Sequence, residues 1–102
     1  MAIESVNPAT GERVKTFDAI SLKEAKKEIK KAHKAFEKWR MTSFGERKQL
    51  MLKAAEILRA DKAKYAKLMT EEMGKPIREA IAVVVLCGWA CEFYAEIAEY
   101  FV

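Results

Sequence analysis

Cys87 and Cys91 stand four residues apart, a spacing that puts both thiols on one face of a helix. Two thiols are half of a tetrahedral zinc site, which needs two further ligands. The single histidine, His33, lies in a distant lysine-rich stretch. No Lys, Arg or His neighbours either cysteine in sequence to favour a thiolate. Both cysteines therefore read as small buried hydrophobes. His33 reads as a boundary residue beside an apolar stripe. No metal ligands and no catalytic residues are assigned.

Arg47 and Lys75 are candidates for anion binding at a helix end, because "GKP" leads into a helix N-terminus. The four glycines, Gly11, Gly45, Gly74 and Gly88, are too dispersed for a phosphate-cradling loop, so no cofactor-binding residues are assigned. Trp39, Trp89, Phe93 and Tyr94 have the chemistry to line a ligand pocket, although core or interface packing is the simpler use. The net charge is +4 and the pI near 9.1. The lysines of 23–38 alternate with Glu24, Glu28 and Glu37, with no aromatic platform among them. That pattern reads as a solvated face, not a nucleic-acid surface.

The elements that would hold these residues are mostly helical. The chain has 102 residues, 51% apolar and 33% charged, with only two Pro and four Gly. Such a length is one domain or a piece of one, able to bury roughly 60–68% of its unfolded surface. "IESV" and "RVKTF" are short β-prone runs around the turn "NPATGE", so residues 1–20 form a hairpin or a loose arm. Residues 21–102 form the helical part.

Ser21 with Glu24, and Ser43 with Glu46, are capping boxes that open two helices. Leu22, Ala25, Ile29, Ala32, Phe36 and Trp39 follow the helical period and predict one narrow buried stripe. Leu50, Met51, Ala54, Ala55, Ile57 and Leu58 predict the buried side of the next helix. Asp61 is expected to cap a stretch carrying Tyr65, Leu68, Met69 and Met73. Gly74 ends that stretch and Pro76 restarts a helix in its first turn.

The last helix spans about residues 76–101. Glu92, Glu96 and Glu99 form one acidic stripe, whereas "AIAVVVLCGWAC" at 80–91 is apolar on every side. Such a helix is expected to be surrounded by protein and to be the most buried element. Twelve apolar residues fall short of the roughly 20 that span a bilayer, and the acidic stripe is the wrong sign for anionic lipid. No membrane partner is expected. The N-terminus lacks an apolar signal core and two cysteines make no disulfide framework, so a cytoplasmic protein is expected.

Several stretches resemble the aldehyde dehydrogenase superfamily. "NPATGE" after a short strand is similar to its start, and "AFEKWRMTSFGERKQLMLKAAEILRADKAKYAKLMTEEMGKPIREA" to its first helical segment. "CGWACEFYAEIAEYF" resembles the following helix of succinate-semialdehyde dehydrogenase-like members. Tyr65, Leu68, Glu72, Gly74, Lys75 and Pro76 fit the family's "L…E.GKP" pattern. The resemblance covers essentially the whole chain and implies a segment of a much longer NAD- or NADP-dependent oxidoreductase. In that family a cysteine thiolate attacks an aldehyde, hydride passes to nicotinamide, and a glutamate-activated water releases the acid. The Gly-Gln-x-Cys and Glu-Leu-Gly-Gly settings and the dinucleotide site that this implies do not occur in this sequence.

Val83, Val85, Leu86 and Ile97 are apolar where the resemblance implies polar residues. Together they suggest a surface rebuilt to be buried, as in an engineered or selected fragment. The expectation is an all-α, three- to four-helix bundle with a short N-terminal hairpin, without catalytic activity of its own and self-associating as a homo-oligomer. Its interface is expected at Val83, Val85, Leu86, Trp89, Phe93, Ile97 and Phe101. The alternative is the N-terminal part of an NAD(P)-dependent (succinate-semi)aldehyde dehydrogenase, active only with the rest of the enzyme.

Overall fold

A computed structural model describes residues 2–101. The chain runs β1 (Ala2–Val6), β2 (Arg13–Asp18), α1 (Leu22–Trp39), α2 (Phe44–Ala60), α3 (Lys62–Met73) and α4 (Ile77–Phe101). β1 and β2 pair antiparallel, Ile3 opposite Phe17 and Val6 opposite Arg13, with a register irregularity between Ser5 and Val6. The turn between them is held by local hydrogen bonds. The Asn7 carboxamide oxygen accepts from the Ala9 N–H at 2.9 Å, and the Gly11 N–H donates to the Asn7 carbonyl at 2.8 Å. Gly11 takes φ 74°, where a side chain would be strained. The hairpin is therefore ordered, and Ser5 Oγ ties it to α3 by donating to Glu72 Oε1 at 3.0 Å.

Both capping boxes form as the sequence predicts, Ser21 with Glu24 and Ser43 with Glu46. Gly74 ends α3 at φ 73°, and Pro8 of the hairpin turn lies 2.9 Å from where a Cβ on Gly74 would stand. Any larger residue there meets both strain and the proline ring. Asp61 differs from expectation. It joins α2 to α3 but its side chain makes no capping hydrogen bond. Its φ of −104° and ψ of 20° are not the extended conformation that aims a cap side chain at the next turn.

The core is small and made of small residues. Ala66 of α3 packs with Ala80 and Val84 of α4, sheathed by Leu58, Tyr65, Met69 and Ile81. Ala55 of α2 is also fully buried. α2 crosses α4 at Gly88, where an added Cβ would lie 3.6 Å from the Ala55 carbonyl oxygen and from Arg59 Cγ. Small side chains let these backbones approach closely, at the cost of a thin apolar interior.

The expected all-α fold with a short N-terminal hairpin forms, but its helices pack unevenly. None of the α1 stripe is buried, with Ile29 68% and Phe36 53% exposed, because no other element packs along that helix. On α2 only Ala55 is fully buried, while Leu50, Met51 and Ile57 stay exposed. α4 carries Ala80, Val84 and Gly88 against its neighbours, yet most of its apolar surface is open. It is not surrounded by protein, since α2 and α3 cover one side only.

The radius of gyration is 17.7 Å, against about 13 Å for a compact chain of this length. The accessible surface is 8525 Å², against about 5,800 Å² for a compact monomer of 11.6 kDa. The shape is a slab, 46 × 41 × 20 Å, that exposes about 2,700 Å² more than a self-contained domain of its mass.

Candidate functional site

The surface that stands out is the outer side of α4, opposite Ala80, Val84 and Gly88. Val85, Leu86, Trp89 and Phe93 recur there at helical spacing and are all exposed. Trp89 stacks on Phe93, ring centroids 5.5 Å apart and planes 18° apart. Tyr94 meets Phe93 edge-on at 5.3 Å. Of the other residues expected at an interface, Val83 and Ile97 are half-buried and Phe101 is exposed at the end of the helix.

Ionic contacts pin α4 to α2. Lys48 Nζ donates to Glu96 Oε2 at 2.8 Å, and the Arg59 guanidinium hydrogen-bonds the Glu92 carboxylate. The acidic stripe read from the sequence thus faces α2 and does not point to solvent alone. The Arg59 hydrogen bond holds the Glu92 carboxyl below the usual carboxylate range, and Glu92 in turn raises the Arg59 pKa. The Glu96 hydrogen bond and charge raise the Lys48 pKa. Glu92, with its pKa depressed on folding, stabilises above the unfolded carboxylate pKa and loses that contribution as pH falls through the folded value. Lys48, with its pKa raised, stabilises below the unfolded lysine pKa and loses that contribution as pH rises through the folded value. The melting temperature is therefore expected to fall at both acid and strongly alkaline pH. Glu92→Gln should remove part of the acid limb, and Lys48→Met part of the alkaline limb. A pH series of thermal melts on the three proteins checks this, and parallel profiles would contradict it.

A groove of about 430 Å³ opens where the end of α1, the start of α2 and the end of α4 converge, lined by Trp39, Phe44, Met51, Tyr94 and Tyr100. Trp39 and Tyr94 were legible as pocket candidates, whereas Phe44, Met51 and Tyr100 carried no motif. Arg47 is committed at its rim. Its Nε donates to Thr42 Oγ1 at 2.8 Å and its terminal nitrogen to the Trp39 carbonyl at 3.0 Å, with the guanidinium 5.4 Å from the Trp39 ring. It clamps the corner between α1 and α2, which commits two of its five N–H donors to the chain itself. Lys75 is half-buried beside Gly74.

The cysteines differ from expectation. Cys87 is exposed and Cys91 only partly covered. His33 is exposed, with Nε2 3.5 Å from Glu37 Oε1 and its ring 6.3 Å from that of Phe36. Among the described residues no three metal-ligating side chains cluster, and no buried side-chain polar atom lacks a partner.

The profile of the aldehyde dehydrogenase family matches residues 1–101. A probable NADP-dependent succinate-semialdehyde dehydrogenase of Synechocystis sp. is 46% identical over 99 residues, which cover 97% of this chain and 22% of that protein. An NADP-dependent succinate-semialdehyde dehydrogenase of Mycobacterium bovis is 41% identical over the same shares. The crystal structure of succinic semialdehyde dehydrogenase from Streptococcus pyogenes with NADP+ superposes with a TM-score of 0.88 at 36% identity, covering 96% of this chain and 22% of that one. The chain thus spans about a fifth of the length of the relatives it matches. With the family match over residues 1–101 and the superposition over 96% of the chain, the chain belongs to the aldehyde dehydrogenase family, as an N-terminal segment of that fold.

Proposed function

We propose that this chain is the non-catalytic N-terminal part of an NADP-dependent succinate-semialdehyde dehydrogenase-like enzyme. The remainder of such an enzyme covers the outer side of α4 and the stripe of α1. The observation that carries this reading is the match itself: nearly the whole chain aligns, at 46% identity, with 22% of an enzyme of that kind. The surplus of about 2,700 Å² of open surface agrees with a piece made to be covered.

The residues of this chain do not themselves fit a dinucleotide. Its two glycines at positive φ, Gly11 and Gly74, serve a hairpin turn and a helix end, and Gly88 serves a helix crossing. None forms a backbone cradle for a pyrophosphate. NADP binding and aldehyde oxidation are therefore functions of the longer protein. α4 is long and apolar enough to cross a membrane, with a mean hydropathy of 1.7 in its most apolar window. Its links through Glu92 and Glu96 to polar α2 argue for a protein covering instead.

Substituting residues 2–101 for the matching segment of the Synechocystis relative tests the reading. The chimera is expected to reduce NADP with succinate semialdehyde within about tenfold of the parent rate, a barrier difference of about 1.4 kcal/mol. The isolated chain is expected to give no NADPH. An inactive or insoluble chimera, or turnover by the isolated chain, would overturn it.

A further inference from the structure

We propose that this chain joins the remainder of such an enzyme as a separate polypeptide, with no peptide bond between the two, and completes its activity in that form. Such joining rests on the enzymatic reading above and goes further, since a segment that is covered within one chain need not find its cover as a free molecule.

Three observations support it. The first is shape. Over 96% of its length the chain superposes on the same segment inside the intact Streptococcus pyogenes enzyme. Its own contacts hold that shape: both capping boxes, the crossing of α2 and α4 at Gly88, and the Arg59–Glu92 and Lys48–Glu96 links across that crossing. Docking then needs little rearrangement of the backbone, which keeps its ordering cost low.

The second observation is area. The chain exposes about 2,700 Å² beyond a compact monomer, more than three times the ~800 Å² per partner of a typical stable complex.

The third observation is the sorting of charge. Residues 80–91 of α4 are uncharged, and the next carboxylates, Glu92 and Glu96, are already satisfied by α2. Val85, Leu86, Trp89 and Phe93 can therefore leave water without stranding a charge. On α1, helical spacing puts Lys23, Lys27, Lys34 and Lys38 on the side away from Ile29 and Phe36. Those lysines stay solvated when the apolar stripe is covered. The partner that fits is an apolar protein surface, here the family fold without its first fifth.

The test co-expresses this chain, carrying an affinity tag, with the Synechocystis relative lacking its matching 99 residues. The two are expected to elute from the tag in equal amounts and to form NADPH from NADP and succinate semialdehyde, whereas neither does so alone. Leu86→Glu and Ile29→Glu alter positions 59% and 68% exposed and should leave the isolated chain folded by circular dichroism. Each is expected to lower capture of the remainder by about tenfold or more, because it carries an unpaired charge into the joint. Lys27→Glu/Lys34→Glu, on the solvated side of α1, should change capture by less than about twofold. A remainder that is active alone, is not captured, or is captured and stays inert would overturn the proposal. So would a chain that keeps to its own copies, at multiples of 11.6 kDa, in the presence of the remainder. An active covalent chimera beside an inert pair would sink this proposal alone, and an inert chimera would sink the enzymatic reading beneath it.

Discussion

Val84→Asp is expected to abolish the cooperative thermal transition of the isolated chain. Val84 is 2% exposed and is the largest side chain in the fully buried set, the others being alanines. Around it stand Ala66, Ala80, Leu58, Tyr65, Met69 and Ile81, and no buried polar or charged residue is described that could receive a carboxylate. Burying that charge unpaired, or protonating it to avoid doing so, is expected to cost more than about 4 kcal/mol. A domain of this size has only about 5–15 kcal/mol in total, and a core this thin places it at the low end. The adjacent Val85→Asp is the control. Val85 is 43% exposed, so the same substitution one residue along is expected to change stability by no more than about 0.5 kcal/mol. Circular dichroism melts of the two variants decide the point. If Val84→Asp melts like the parent, the α3–α4 contact is not the core.

Trp89→Ala separates the isolated chain from the longer enzyme. In the isolated chain Trp89 is 58% exposed and its main contact is the stack on Phe93, so truncation is expected to cost under about 1.5 kcal/mol. In the chimera that carries residues 2–101 within the Synechocystis relative, the same indole is expected to be covered, and truncation to cost about 3–5 kcal/mol, as for a core aromatic. The measurement is the shift in denaturant midpoint in each setting. Equal shifts would mean that the rest of the enzyme leaves Trp89 in water.

Local chemistry was legible in the sequence wherever a few residues decide it. Ser21–Glu24 and Ser43–Glu46 form their capping boxes, Gly11 and Gly74 take positive φ, and "NPATGE" makes its turn. What could not be read was which molecule supplies the cover. The period of Leu22, Ala25, Ile29, Ala32, Phe36 and Trp39 shows that one side of α1 is apolar, and the structure leaves that side bare. The run at 80–91 is apolar all round, yet α2 and α3 reach only the side of Ala80, Val84 and Gly88. Cys87, read as buried, is exposed. Periodicity records where a helix shuns water and is silent on whether the neighbour belongs to the same 102 residues. The links of Arg59 with Glu92 and of Lys48 with Glu96 were hidden for a related reason. Each joins residues more than thirty positions apart, and only the crossing at Gly88 brings them together.

The clamp at Arg47 has a consequence for timescales. It anchors one end of α1, while the rest of that helix has only its own backbone ladder, its Ser21 cap and short-range pairs such as Lys31 with Glu28. A lone helix of 18 residues sits close to the limit of what survives unaided in water. In a solitary molecule its amide protons should therefore trade with deuterium through brief fraying, ahead of those around Val84. Whatever comes to rest on α1 would register first as a slowing of that trade.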